Sequence, residues 1–237
     1  MNKTLLSIRG LSCAYTTRTF GIFGKEQIKP VINGVDLEIG QGEIFGLVGE
    51  SGCGKTTLGK CILGLMDYKG EIIINGKRLS KNPSFKERKE MAFQVQAVFQ
   101  NSDSSLNPAK TVEWILEEPL KAHNLGSTAE RQVKVDRVLD LIGLDSSYKK
   151  RRPSELSSGQ KQRVSIGAAL MLNPGFIVAD EPVSSLDVSV AAQILNLFRE
   201  LNRQLGLSLL FISHNLDLVN YLCDRVAVMH DGKLTFY

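Results

Sequence analysis

Short apolar runs alternate along this chain with longer stretches in which apolar side chains recur every three or four positions. The runs EIFGLVG, GFIVADE and LSLLFISH read as strands, and each leads into a helical pattern: KTTLGKCILGL, VAAQILNLFRELNRQL and NLDLVNYLC. In the helix after Asp187, the spacing of Val190, Ile194, Leu197, Leu201 and Leu205 predicts one buried face. RVAVMHDGKLTFY predicts a closing hairpin turned at Asp231-Gly232. Repeated strand-to-helix alternation predicts an α/β protein with helices packed on a largely parallel sheet.

The middle of the chain breaks this rhythm. Between Asn101 and Pro153 no strong strand signal appears, whereas TVEWILEEPLKAHNL and AERQVKVDRVLDLIGL read as helices. The second opens on a capping box, Ser127-x-x-Glu130, and gathers Val135, Val138, Leu139 and Ile142 on one face. This segment reads as a helical insertion in the α/β core; helices that simply cover a sheet give the same pattern.

Composition narrows the class. With 237 residues and 43% hydrophobic content, the chain can bury a substantial core. Its net charge of +4, from 29 basic and 25 acidic residues spread along the sequence, is too mild and mixed to imply a nucleic-acid groove. Cys13, Cys53, Cys61 and Cys223 form no CxxC pair, which argues against a zinc site and fits a reducing compartment. No run approaches the ~18 apolar residues of a membrane span, so a membrane role requires a partner. Lys149-Lys150-Arg151-Arg152 reads as a solvated face, with a lipid or phosphate contact as the alternative.

The chemistry concentrates in GLVGESGCGKTTLGKCILGL. Gly49-Glu50-Ser51-Gly52-Cys53-Gly54-Lys55-Thr56 satisfies GxxxxGK(S/T) between a strand and a helix. Three glycines in one turn imply that a side chain there would block the turn or the approach of a ligand. Successive backbone N–H groups and the helix N-terminus suit a phosphate chain. Lys55 is expected to contact the β- and γ-phosphates, Thr56 a Mg²⁺, and Thr57 a neighbouring phosphate oxygen. A Mg²⁺ held this way needs a carboxylate, which FIVADE supplies at Asp180; Glu181 is placed to act as general base on the attacking water.

LSSGQKQRV from Leu156 and SSLD ending at Asp187 flank that strand, and together with the turn above they resemble the ABC-type ATPase family. The order and spacing match along almost the whole chain. The resemblance implies a P-loop NTPase core with an antiparallel N-terminal β subdomain and an inserted helical subdomain, with core at 1–100 and 153–237 and helices at 101–152. It makes Gln100 the glutamine that reaches the metal or the attacking water and His214 the histidine that donates to a γ-phosphate oxygen. Tyr15 becomes the aromatic that stacks on adenine, with Phe20 or Phe23 as alternatives.

In this family two nucleotide domains meet head to tail, so that the signature of one closes on ATP held by the other. Ser157, Ser158, Gly159 and Gln160, with Asp187, are then the trans contacts. Ser158 stands where a second glycine is common, and its added side chain is expected to slow the composite site that uses it.

FQNSDSSLNPAKTV from Phe99, with GESGCGKTTLG, narrows the resemblance to ATPases of oligopeptide, dipeptide and nickel importers. This implies a related second ATPase, two membrane permeases and an extracellular substrate-binding protein as partners, no nucleic acid, and a peripheral place on the cytoplasmic membrane face. Ala109 stands where relatives often carry arginine, and the sequence stops soon after the hairpin, short of the C-terminal tail that such subunits generally carry. A soluble ABC ATPase acting on DNA or ribosomes is the alternative, but neither a long coiled coil nor a second cassette is seen. A P-loop kinase has no use for a trans-acting signature.

Overall fold

The computed structural model describes residues 3–18, 26–81, 83–100 and 105–236. Its strands are β1 (Thr4–Arg18), β2 (Glu26–Gly40), β3 (Ile44–Gly49), β4 (Lys69–Ile74), β5 (Lys77–Arg78), β6 (Val95–Phe99), β7 (Phe176–Asp180), β8 (Ser208–Ser213), β9 (Arg225–His230) and β10 (Lys233–Phe236). The helices are α1 (Lys55–Ile62), α2 (Phe85–Met91), α3 (Val112–Ala122), α4 (Thr128–Leu141), α5 (Ser158–Leu170), α6 (Val188–Leu205) and α7 (Leu216–Leu222).

Strands β10-β9-β3-β8-β7-β6 form one sheet, in which the pairs from β9 to β6 are parallel and β10 returns antiparallel. Side-chain alternation explains why these strands read as near-continuous apolar runs. Ile177, Ala179, Leu209 and Phe211 enter the core shared with α5 and α6. Phe176, Val178, Leu210 and Ile212 enter a second core on the opposite face. A strand buried on both faces has no polar side to show.

The second core is closed by an antiparallel sheet, β2-β1-β4-β5. Leu6, Ile8, Leu11 and Ile72 of that sheet pack with Leu58, Cys61 and Ile62 of α1. The helix that follows the glycine turn is thus clamped between two sheets, which fixes its N-terminus in space.

The helices of the middle segment pack as their periodicity predicts. Ser127 and Glu130 form a reciprocal capping box on α4, and Val135, Val138, Leu139 and Ile142 are all buried. Gly167 of α5 allows the close crossing: a Cβ there would lie 2.9 Å from Ile142 Cδ1 and 3.1 Å from Leu116 Cδ2.

One face differs from expectation. The buried side of α6 is Ala191, Ile194, Leu195, Leu197, Phe198 and Leu201, whereas Val190 is half-buried and Leu205 is 42% exposed. Gly206 ends the helix in the left-handed conformation (φ 64°), and Leu205, in the last turn, lines a surface groove beside Val133 and Pro174 instead of the core. The closing hairpin forms as read. Asp231 and Gly232 both have positive φ (46° and 72°), which matches the twist of a two-residue hairpin.

Candidate nucleotide site

Parallel register brings the chemistry-bearing residues to one edge. Val48 pairs with Ser213, Asp180 with Ile212 and Phe99 with Asp180, so Gly49, His214, Glu181 and Gln100 all emerge where their strands end. Open α/β sheets bind ligands at this carboxyl edge.

Gly49, Gly52 and Gly54 serve three different needs. At Gly52 (φ 82°) an added Cβ would meet open space, so only backbone conformation and ligand access constrain that position. Gly54 (φ 115°) caps α1, and a Cβ would lie 2.9 Å from the Val31 carbonyl oxygen. Gly49 is dictated by packing, since its Cβ would fall 2.3 Å from the Met229 carbonyl oxygen. The expectation that turn geometry or ligand approach accounts for all three glycines is therefore corrected: at Gly49 a neighbouring strand excludes the side chain.

Glu50 and Ser51 carry the turn between Gly49 and Gly52, and both are exposed. Lys55 is buried, and its ammonium donates to the carbonyl oxygens of Gly49 (2.7 Å) and Glu50 (2.8 Å), with Cys53 Sγ at 3.8 Å. Thr56 is exposed, whereas Thr57 is buried with its Oγ1 3.3 Å from the Tyr15 hydroxyl. Tyr15 is 40% exposed and stands over the start of α1; Phe20 and Phe23 lie outside the described residues.

Asp180 is buried, and its Oδ1 has no hydrogen-bond partner. Desolvation by burial is the leading influence and raises its pKa; a hydrogen bond from Thr56 opposes this, the neighbouring Glu181 charge adds to it, and Lys55 and Lys60 oppose it. A buried carboxylate oxygen without a donor, facing a threonine hydroxyl, is the donor set of a site for a hard cation. Gln100 is exposed immediately beyond β6.

Glu181 follows in the left-handed region (φ 49°), a strained conformation for a non-glycine residue. Its N–H donates to the Ile212 carbonyl (2.9 Å) and its own carbonyl accepts from Ser184 Oγ (3.1 Å), so backbone contacts hold the strain in place. Its Oε2 lies 3.1 Å from His214 Nδ1. An ionised carboxylate only accepts, so Nδ1 carries the proton in this contact.

Ser157, Ser158, Gly159 and Gln160 form the N-terminus of α5. Ser157 Oγ accepts from Gln160 N (3.3 Å) and Gln160 Oε1 accepts from Ser157 N (3.0 Å). Gly159 is buried against Val190: a Cβ would lie 2.5 Å from Val190 Cγ1. Ser158 is exposed. Asp187 caps α6, and the donated hydrogen bonds of Val190 N (2.9 Å) and Ser189 Oγ (2.7 Å) hold its carboxyl below the usual range.

A cleft of about 670 Å³ joins Tyr15 to the glycine turn, Lys55, Thr56, Thr57 and Glu181. Ser157 to Gln160 and Asp187 are not among its lining residues, so the cleft and the N-terminus of α5 are separate surfaces of the chain. Sequence reasoning missed part of the rim. Lys29 and Asn33 of β2, with Asp231 and Gly232 of the closing hairpin, also line the cleft. Asn33 N donates to the Gly232 carbonyl (2.9 Å) and Asn33 Nδ2 to the Asp231 carbonyl (3.2 Å). Only the DG turn signal hinted at this region, and nothing local said where the turn would dock.

The basic run is corrected as well. Lys149 pairs with Asp136 (2.5 Å) and Arg151 lies 4.1 Å over the Tyr148 ring, so half of it is engaged in packing instead of forming a uniformly solvated face.

A glycine turn clamped between two sheets, with carboxylates at the next strand ends, defines a P-loop nucleotide-binding fold. The family model described as ABC transporter matches residues 32–184. The chain is 43% identical over 237 residues to an oligopeptide transport ATP-binding protein of Bacillus subtilis, with 98% of this chain and 71% of that protein covered. It is 46% identical over 236 residues to a dipeptide transport ATP-binding protein of Lactococcus lactis, with 98% and 73% covered. Among solved structures, a dimeric ATP-binding cassette in a post-hydrolysis state bound to ADP and Pi superposes with a TM-score of 0.82 at 27% identity, over 97% of this chain and 96% of that one. The chain belongs to the ABC transporter family. Its fold is that of the ABC ATPase cassettes, a parallel α/β core with an antiparallel β sheet.

Proposed function

We propose that the chain is an ATP-hydrolysing subunit of a peptide importer, working as half of a nucleotide-sandwich dimer beneath membrane permeases. One observation carries the reading: Asp180 Oδ1, buried and without a partner, stands at the strand edge beside Glu181 and the Lys55 turn. A cassette without ligand chemistry has no use for a buried carboxylate oxygen left without a donor. The names of the relatives, which speak of oligopeptide and dipeptide transport, favour import over a soluble role on DNA or ribosomes. A nickel or other metal complex is the alternative cargo.

Lys55 exchanges its loop carbonyls for the β- and γ-phosphates, and Thr57 turns from Tyr15 towards a phosphate oxygen. Tyr15 offers its face to adenine. Thr56, Asp180 and Gln100 would hold a Mg²⁺, which when bound offsets phosphate charge. Glu181 accepts the proton of the attacking water. His214 orients that carboxylate through Nδ1. In this tautomer Nε2 bears a lone pair, so donation to a γ-phosphate requires the doubly protonated ring or release of Glu181. The trans half-site of Ser157, Ser158, Gly159, Gln160 and Asp187 meets the nucleotide of a related second ATPase subunit or of a second copy. We assign residues 1–100 and 153–237 to the ATP-binding core and 101–152 to a helical subdomain facing the permeases. An extracellular binding protein supplies the cargo, no nucleic acid takes part, and the chain sits peripherally on the cytoplasmic face. Among the described residues no helix is long and apolar enough to cross a membrane.

The test is purification of the tagged chain from detergent-solubilised native membranes, followed by mass spectrometry. Two multi-span permeases and a second ATPase are expected. Recovery of ribosomal or DNA-repair proteins alone overturns the import reading and leaves the ATPase chemistry standing.

A further inference from the structure

The helical half of the molecule contains a polar chain that the cleft does not use. It begins at Gln160, whose amide is engaged at both ends. Oε1 accepts from Ser157 N (3.0 Å), and Nε2 donates to the Tyr148 hydroxyl (2.9 Å). The phenol is itself fixed. Arg151 covers its ring at 4.1 Å, Arg151 N donates to the Tyr148 carbonyl (3.0 Å), and Val112 N at the start of α3 donates to the Arg151 carbonyl (2.9 Å).

The two ends of a glutamine amide have opposite hydrogen-bonding character. If the amide were reversed, the Ser157 N–H would face another donor and the capping box would open. The Ser157 N–H, which can only donate, sets that orientation; the Tyr148 hydroxyl then accepts from Nε2 and pins the far end of the amide from a neighbouring 3-10 turn, Ser146–Lys150. With the box closed, the N–H groups of Ser157 and Gln160 are satisfied within the chain. The N–H groups of Ser158 and Gly159 are then the open donors of that first turn.

We propose that Tyr148 is a positioning residue for this donor pair: its phenol oxygen anchors the Gln160 amide in place, keeps the Ser157 cap closed and leaves the Ser158 and Gly159 N–H groups aimed outward at a phosphate held by a partner chain. The inference rests on the reading of α5 as the trans half-site. Tyr148 does not touch the phosphate; it acts through Gln160. Its link to Val112 also ties the cap to the start of α3.

The experiment compares Tyr148→Phe, Gln160→Ala and the double variant in the chain purified with its membrane partners. Tyr148→Phe keeps the ring and its stack on Arg151 and deletes only the hydroxyl. Turnover is expected to fall about 2- to 10-fold, the scale of one hydrogen bond, with KM for ATP and melting temperature unchanged. The double variant is expected to be no slower than Gln160→Ala, because both changes break the same contact. Wild-type turnover in Tyr148→Phe beside a slow Gln160→Ala overturns the positioning role alone, as does additivity of the two changes. An inert Gln160→Ala overturns the trans half-site reading, and the inference with it.

Discussion

Two buried carboxylates, one in each half of the molecule, show what separates a working charge from a structural one. Glu117 of α3 is buried, but Lys121 (2.6 Å) and Arg131 of α4 (2.9 Å) hold it from both sides. The Lys121 hydrogen bond is the leading cause of its lowered pKa, and Arg131 adds to it. Asp180 is equally withdrawn from water, yet one oxygen has no donor and burial raises its pKa. The helical half has neutralised its buried charge internally. The cleft half leaves one carboxylate oxygen without a donor, at the place where the proposed Mg²⁺ would bind.

The sharpest way to break this contrast is at the neighbouring carboxylate. Glu181→Gln is expected to lower ATP turnover by about two to four orders of magnitude while preserving ATP binding, the range for loss of a general base. Near-normal steady-state turnover would move that role elsewhere. Lys55→Ala removes a charge-assisted donor and is expected to weaken ATP binding about 10- to 100-fold by calorimetry; unchanged affinity contradicts the phosphate assignment.

The two carboxylates themselves should answer neutralisation with opposite signs. Glu117→Gln leaves Lys121 and Arg131 without their anion and is expected to cost about 1–3 kcal/mol in urea unfolding. Because the folded pKa of Glu117 is lowered, its stabilisation is present above the ordinary carboxylate range and disappears as pH falls through the lowered value. Asp180 has a raised folded pKa, so its favourable contribution exists at low pH and is lost as pH rises through that value. At neutral pH the ligand-free Asp180→Asn chain is therefore expected to melt higher than wild type while losing turnover. A lower melting temperature would show that Asp180 is compensated after all. The smallest effect belongs to the exposed half-site: Ser158→Gly is expected to raise turnover of the assembled complex about 2-fold by relieving a crowded approach, and an unchanged rate removes that idea.

The sequence spoke clearly where the chemistry is local. The glycine turn, the strand-end pair Asp180 and Glu181, the Ser127–Glu130 box and the Asp231-Gly232 hairpin are each written in a few consecutive residues, and the described structure has the corresponding element at every one. What was hidden depends on distant pairings. Lys29 and Asn33 join the cleft only because β2 lies beside a turn formed far along the chain, and Tyr148 reaches Gln160 only after the 3-10 turn folds back on α5. The reason for Gly49 was hidden in the same way: the strand that excludes its side chain is β9, a parallel neighbour with no sequence proximity. Periodicity carried the buried face of α6 on to Leu205, which the helix includes but the core does not, because a hydrophobic step pattern carries no record of where the covering sheet stops.

The docking of the last hairpin against β2 has a consequence for how the protein is made. The Asn33 contacts to Asp231 and Gly232 span 198 residues and more, and they complete the wall of the cleft. Contacts of such separation form late, since the intervening chain must order before closure is rewarded. During synthesis the glycine turn leaves the ribosome early, but its cleft stays open on one side until residue 232 has emerged. A nascent chain thus lacks a finished nucleotide pocket until the closing hairpin has been translated.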